Sequence, residues 1–217
     1  MKIAIVGAGN VGGALGTRLL EAGHDVRFAV RAADSELSAR FGEARVKPLV
    51  EATRDAEVVF LAVPGGVVVE AARSLGSLDG KVLVDCTNPI RWDAGPVWTP
   101  PAEGSNAAAL AAAFPNAHVV KAFNQFGAET HADPQYGARG ADVFLAGDSA
   151  DAKARVAGLC EETGFVAVDA GPLRNAAVLE NVAVLWIHLA TVSSSPQGQP
   201  RTVGGVGRAF VLARVSR

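Results

Sequence analysis

Cysteine is scarce in this chain. Cys86 and Cys160 are the only two in 217 residues, and their spacing makes neither a disulfide framework nor a metal-ligand set. They read as buried thiols of a reducing cytoplasm, and no metal site is expected. A charge excess is also lacking: 20 basic residues face 22 acidic ones, for a net charge of −2, so nothing resembles the basic stripe of a nucleic-acid binder. No apolar run reaches the roughly 18 residues that a membrane span requires. The nearest, "VAVLWIHLATV" (182–192), carries His188. The opening "KIAIVGAG" is expected to be a strand rather than a signal peptide, and a cytoplasmic protein is expected.

What is present is a globular core. Hydrophobic residues make up 49% and charged residues 19%, too apolar for disorder. Strand-like runs at 2–7, 26–30, 57–63, 81–86, 118–123, 142–146 and 165–169 alternate with helical patterns. That alternation predicts an α/β, Rossmann-type, doubly wound and mainly parallel sheet with helices on both faces. Runs such as "VVFLAV" and "KVLVD" are apolar almost throughout, as strands covered on both sides should be. Helices are predicted from Val11 to Ala22, from about Asp148 or Ser149 to Gly164, and over about 175–190. The segment 91–106 reads as a long proline- and glycine-rich loop, and 193–207 as a polar loop. A dinucleotide-binding domain over 1–124 is expected, followed by a small carboxyl-terminal α/β portion over 125–217 that completes an acceptor pocket.

The stretch "GAGNVG" sets Gly7, Gly9 and Gly12 in G-x-G-x-x-G register after a strand and at the head of a helix, the context a pyrophosphate cradle needs. Gly7 suits the tight turn, Gly9 the close approach of phosphate, and Gly12 the packing of helix on strand. Ala8, Asn10 and Val11 complete the loop, whose amides point the positive end of the helix at phosphate. Nineteen residues beyond Gly12 stands Arg31, where a ribose-reading side chain belongs. A carboxylate there repels a 2′-phosphate; a guanidinium binds it with two parallel bonds. NADP is therefore the expected cofactor, with Asp34 as a rival ribose ligand that also suits the cap of "SELSAR".

Ligands of open parallel sheets lie beyond the carboxyl ends of the strands. Val63 and Pro64 end one such strand and are expected along the cofactor's path. Asn88 ends another beside Thr87 and Pro89, and Asn124 and Phe126 follow a third, so these are the acceptor-side candidates. General acids and bases are scarce: His24, His118 and His188 read as structural or surface residues, His131 lies in a loop, and Cys86 ends a core strand. Ketone reduction usually needs a placed proton donor, whereas hydride transfer between two rings depends on stacking and orientation.

"VGAGNVGGALG" (6–16), "VKAFN" (120–124) and above all "VDAGPLRNAAVLE" (168–180) resemble the NADPH-dependent coenzyme F420 reductase family. The cytosolic domains of the STEAP metalloreductases are similar, with a flavin as acceptor. The resemblance implies a Rossmann domain, a deazaflavin (coenzyme F420) or flavin (FAD or FMN) pocket beside it, and a homodimer. It implies that Ala8, Gly9, Asn10 and Val11 hold the pyrophosphate and Arg31 the 2′-phosphate. Two positions depart from the family: Val30 stands where a serine helps hold that phosphate, and Asn124 where the F420 enzymes carry a histidine. Against this stand a reductase of another small substrate, an imine or carbonyl, as in pyrroline-carboxylate-type enzymes, and a sensor that binds NADPH without turnover.

Overall fold

The computed structural model describes residues 1–191; the polar loop expected over 193–207 lies outside them. The chain opens with β1 (Lys2–Val6), α1 (Asn10–Glu21), β2 (Asp25–Val30), α2 (Ser35–Phe41), β3 (Val46–Pro48), α3 (Leu49–Arg54) and β4 (Val58–Leu61). It continues with α4 (Val68–Arg73), β5 (Val82–Asp85), β6 (Ile90–Trp92), β7 (Pro96–Trp98), α5 (Asn106–Ala113) and β8 (His118–Lys121). Then come α6 (Ala128–Ala132), β9 (Gln135–Tyr136), β10 (Arg139–Gly140), β11 (Asp142–Gly147), α7 (Ala150–Glu162), β12 (Val166–Asp169) and α8 (Ala176–Thr191).

Eight of these strands form one sheet in the order β12-β11-β8-β5-β4-β1-β2-β3. Every pairing in it is parallel except that of β11 with β8. Strand direction thus reverses once in the sheet, between β8 and β11. β1 lies between β2 and β4, with Val6 opposite Ala29 on one side and Leu61 on the other. This is the point where strand order turns, and where ligand crevices form.

Central strands are apolar on both faces because helices cover both. Leu15 and Leu19 of α1, Leu37 and Phe41 of α2, and Val156 and Leu159 of α7 pack on one face. Ala52 of α3, Val68 and Ala72 of α4, and Leu110 of α5 pack on the other. β4 and β5 are buried at every residue, whereas the edge strand β12 is only partly covered.

The loop predicted over 91–106 is not structureless. It contains the antiparallel hairpin β6–β7, with Ile90 opposite Trp98 and Trp92 opposite Pro96. Ala94 (φ 53°) and Gly95 (φ 155°) turn the chain between these strands. Such short strands, broken by proline and glycine, leave no alternating pattern long enough to read. No helix among the described residues is long and apolar enough to cross a membrane.

Candidate active site

The glycine loop joins β1 to α1. Gly7 has φ +93°, and a Cβ there would lie 2.5 Å from the carbonyl oxygen of Ala62. At Gly12 a Cβ would come within 1.9 Å of Gly7 O, so helix and strand meet closely only because it is absent. Gly9 differs: a Cβ there would meet nothing within 4 Å. Space above Gly9 is open, and the fold makes no demand for glycine at that position. α1 also has no side-chain cap and no acidic residue in its first turn, whereas serines cap α5 and α7. The free amides of its first turn are left for an external anion. Backbone, open space and helix end together fit a pyrophosphate.

Arg31 follows β2, is exposed, and makes no ion pair or hydrogen bond among the described residues. Asp34, its rival, is engaged: its Oδ1 accepts from the Leu37 amide at 2.8 Å and caps α2. Arg40 of α2 reaches back toward α1, with Nη2 3.4 Å from Thr17 Oγ1, and its guanidinium lies 4.6 Å from the centre of the Phe41 ring. Arg31 is therefore the free guanidinium at the end of β2.

Beyond β4, Ala62 and Val63 touch the glycine loop, Pro64 is exposed, and the chain turns through Gly65. Gly65 O accepts from Asn106 Nδ2 at 3.1 Å, and the same amide donates to Thr87 Oγ1 at 2.7 Å. Thr87 in turn donates its hydroxyl (2.7 Å) and its amide (2.9 Å) to Asp85 Oδ1. Asn88 and Asn124 face each other across the ends of β5 and β8, with Asn88 Nδ2 donating to Asn124 O at 2.8 Å. Asn124 Nδ2 donates to Asn88 Oδ1 at 2.8 Å and to Leu179 O of α8 at 3.0 Å.

Beneath these strand ends lies a cluster that sequence reasoning missed. Lys121, Asp85 and Glu180 are each 0% exposed. Lys121 Nζ is 2.8 Å from Asp85 Oδ2 and 3.1 Å from Glu180 Oε1, and it also donates to Thr87 O. Glu180 Oε1 accepts from the Asn106 amide at 2.9 Å, and Oε2 from Trp98 Nε1 at 3.0 Å. A lysine inside the apolar run "HVVKAF" was the available signal, since a buried ammonium requires a buried partner. Its partners are 36 and 59 residues away, beyond any local pattern.

A cleft of about 420 Å³ opens beside this cluster, between Gly65–Gly66, Pro89–Ile90 and Thr99–Pro101. Its volume is in the range of small-molecule sites. Val69, Pro89, Ile90, Pro100 and Pro101 give it apolar, rigid walls, and Glu70 and Arg73 stand at its edge. The turn Ala62–Gly66 thus borders the glycine cradle on one side and this cleft on the other.

Phe126 is placed elsewhere than expected. It is 5% exposed and stacks on Phe165 with centroids 5.6 Å apart and planes 6° from parallel. Its ring is engaged inside the core, because Phe123, Phe126, His131 and Phe165 form one aromatic cluster. His131 lies in α6, fully buried, with Nδ1 2.9 Å from Gly127 O and Nε2 3.0 Å from Phe123 O. Burial pushes its pKa down to about 4, against those two carbonyls. It is a core residue that ties down the turn after β8, where Phe123 has φ 58°. Burial, with Asp85 beside it, raises the Cys86 thiol far above its usual range, so it is no nucleophile. His24 holds the amino terminus (3.3 Å) and Glu162 (3.0 Å). Among the described residues no group of acidic, histidine and cysteine side chains is arranged to hold a metal.

A mainly parallel sheet that turns its strand order beside a glycine cradle defines a Rossmann-type, dinucleotide-binding class of fold. The model of the family "NADP oxidoreductase coenzyme F420-dependent" matches residues 2–89. The F420-dependent NADP reductase of Methanothermobacter marburgensis is 34% identical over 215 residues, covering 87% of this chain and 92% of that protein. The chain belongs to this family of NADP-dependent oxidoreductases. Metalloreductase STEAP3 of Rattus norvegicus is 32% identical over 182 residues, 83% of this chain. The chain spans only 36% of that relative's length. A crystal structure described as an F420-dependent NADP-reductase from Arthrobacter sp. FB24 superposes with a TM-score of 0.78 at 29% identity, covering 92% of this chain and 96% of that one.

Proposed function

We propose that this protein passes hydride between NADPH and a flat ring acceptor, a deazaflavin such as coenzyme F420 or a flavin. The observation that carries the reading is the single turn Ala62–Gly66, shared by an uncapped glycine cradle and a proline-walled cleft. Bound NADPH supplies the hydride. Gly7, Ala8, Gly9, Asn10, Val11 and Gly12 hold the pyrophosphate by backbone amides, and Arg31 binds the 2′-phosphate. Val63 and Pro64 guide the nicotinamide toward the cleft. Asn88, tied to Asn124, sets the end of β5 against which both rings are positioned. The walls of Pro89, Pro100 and Pro101 exclude water and leave one slot for the acceptor. No side chain here is asked to move a proton, in keeping with a transfer that depends on orientation.

The same reading takes the protein as cytoplasmic and as a homodimer, for which the exposed Val178, Leu185 and Leu189 of α8 offer an apolar face.

Single-turnover oxidation of bound NADPH, followed by absorbance, tests the acceptor. Mixing with F420, FMN and FAD in turn is expected to bleach the nicotinamide signal with at least one of them. Bleaching only with a cyclic imine or a ketone redirects the reading to another substrate, and none with any compound leaves a binding protein without turnover.

A further inference from the structure

Two carboxylates surround one ammonium in the Asp85–Lys121–Glu180 cluster, so with all three groups ionised its formal charge is −1, and no member is exposed to solvent. Each polar atom in it is occupied. Lys121 spends its donors on Asp85, Glu180 and Thr87 O, while the carboxylates take Thr87, Asn106 and Trp98. A buried ion pair that is fully bonded holds its geometry, yet the spare negative charge has no counter-ion within the cluster. That charge lies one hydrogen bond behind Thr87 and three behind Gly65 O, which borders the cleft. The other charges at the cleft, Glu70 and Arg73, are of opposite sign and exposed, so they offset one another and are screened.

We propose that this buried charge acts on the cofactor across the strand ends and favours the oxidised nicotinamide, making Glu180 and Asp85 electrostatic positioning residues of the hydride transfer. The inference rests on the NADPH site proposed above. Loss of a hydride removes two electrons and one proton from the reduced ring, and the acceptor takes them. The neutral ring thereby gains one positive charge. A fixed negative charge behind it stabilises that change, in the ground state and as it develops in the transition state. Between unit charges about 10 Å apart in a medium of effective dielectric about 20, the effect is roughly ten-fold in an equilibrium.

The test is the ratio of dissociation constants for NADP⁺ and NADPH, measured by titration without any acceptor. Glu180→Gln alone would set an amide N–H against Trp98 Nε1, so it is combined with Trp98→Phe, and Trp98→Phe alone serves as the charge-conserving control. The control is expected to keep the wild-type ratio. The double variant is expected to raise it about ten-fold by weakening NADP⁺, with hydride donation from NADPH slowed in parallel. Circular dichroism establishes that the variant is folded, and Asp85→Asn removes the same charge from the other end of the cluster should it not be. An unchanged ratio, or equal weakening of both nucleotides, overturns the proposal while leaving the cofactor site standing. Failure of the wild-type protein to bind either nucleotide overturns both.

Discussion

Asn88 and Asn124 are bound to each other twice, each side-chain amide donating to its partner at 2.8 Å. Because Asn124 Nδ2 also donates to Leu179 O, its orientation is fixed, and its Oδ1 is left buried without a donor. Three elements, β5, β8 and α8, are joined at one point. Asn124→Ala is expected to lower the unfolding free energy by about 1–3 kcal/mol, since it leaves Asn88 and Leu179 O short of their donor. A urea titration reads this directly. A loss below a few tenths would mean that solvent replaces the lost bonds.

The three loop glycines separate folding from binding. Gly9→Ala is expected to keep the wild-type melting temperature, since its methyl meets nothing, and to weaken NADPH at least ten-fold by blocking phosphate. Gly12→Ala is expected to destabilise the fold itself, because its methyl collides with Gly7 O. Equal melting temperatures for both variants would contradict this division.

Arg31→Ala is expected to weaken NADPH by about 10- to 150-fold, the worth of a charged hydrogen-bonded contact, and to leave NADH unchanged. Isothermal titration with each nucleotide gives the answer. Equal affinity of the wild-type protein for NADH and NADPH would remove the assignment.

His131 gives a pH dependence with a definite sign. Its folded pKa is lowered to about 4 from an ordinary 6.5, so between these values the unfolded chain binds the extra proton. Stability therefore rises with pH across that window, is fully present above about 6.5, and is lost as pH falls toward 4, by about 3 kcal/mol. Denaturant unfolding of the wild type between pH 4 and 7 is expected to show this slope, and His131→Gln to flatten it. A slope unaltered by the substitution would assign it to other groups.

Strands and the glycine loop were legible because each rests on a local pattern. β1, β4 and β5 are apolar at nearly every residue, and Gly7 and Gly12 owe their places to the tight turn and the close helix–strand contact that follows it. The cap at Asp34 was legible for the same reason. β3 and α3 were not, since Val46–Pro48 and Leu49–Arg54 are too short for a period to show. Phe126 misled because an aromatic after a strand end reads alike whether it faces a ligand or the core. Only the fold brings Phe165 onto its ring. The buried lysine was visible, but its partners come from another strand and from the last described helix, and no spacing rule connects them.

Leu179 and Glu180 are consecutive in α8, and both are held, one by its carbonyl and the other by three donors. Adding one residue between Pro172 and Leu179 would rotate everything after it by about 100° about the helix axis. The carboxylate would swing away from its ammonium, and an apolar neighbour would be driven among ions. The "GPLRNAAVLE" segment is thus a ruler whose length cannot change, although none of its first eight residues contributes a charge to the cluster.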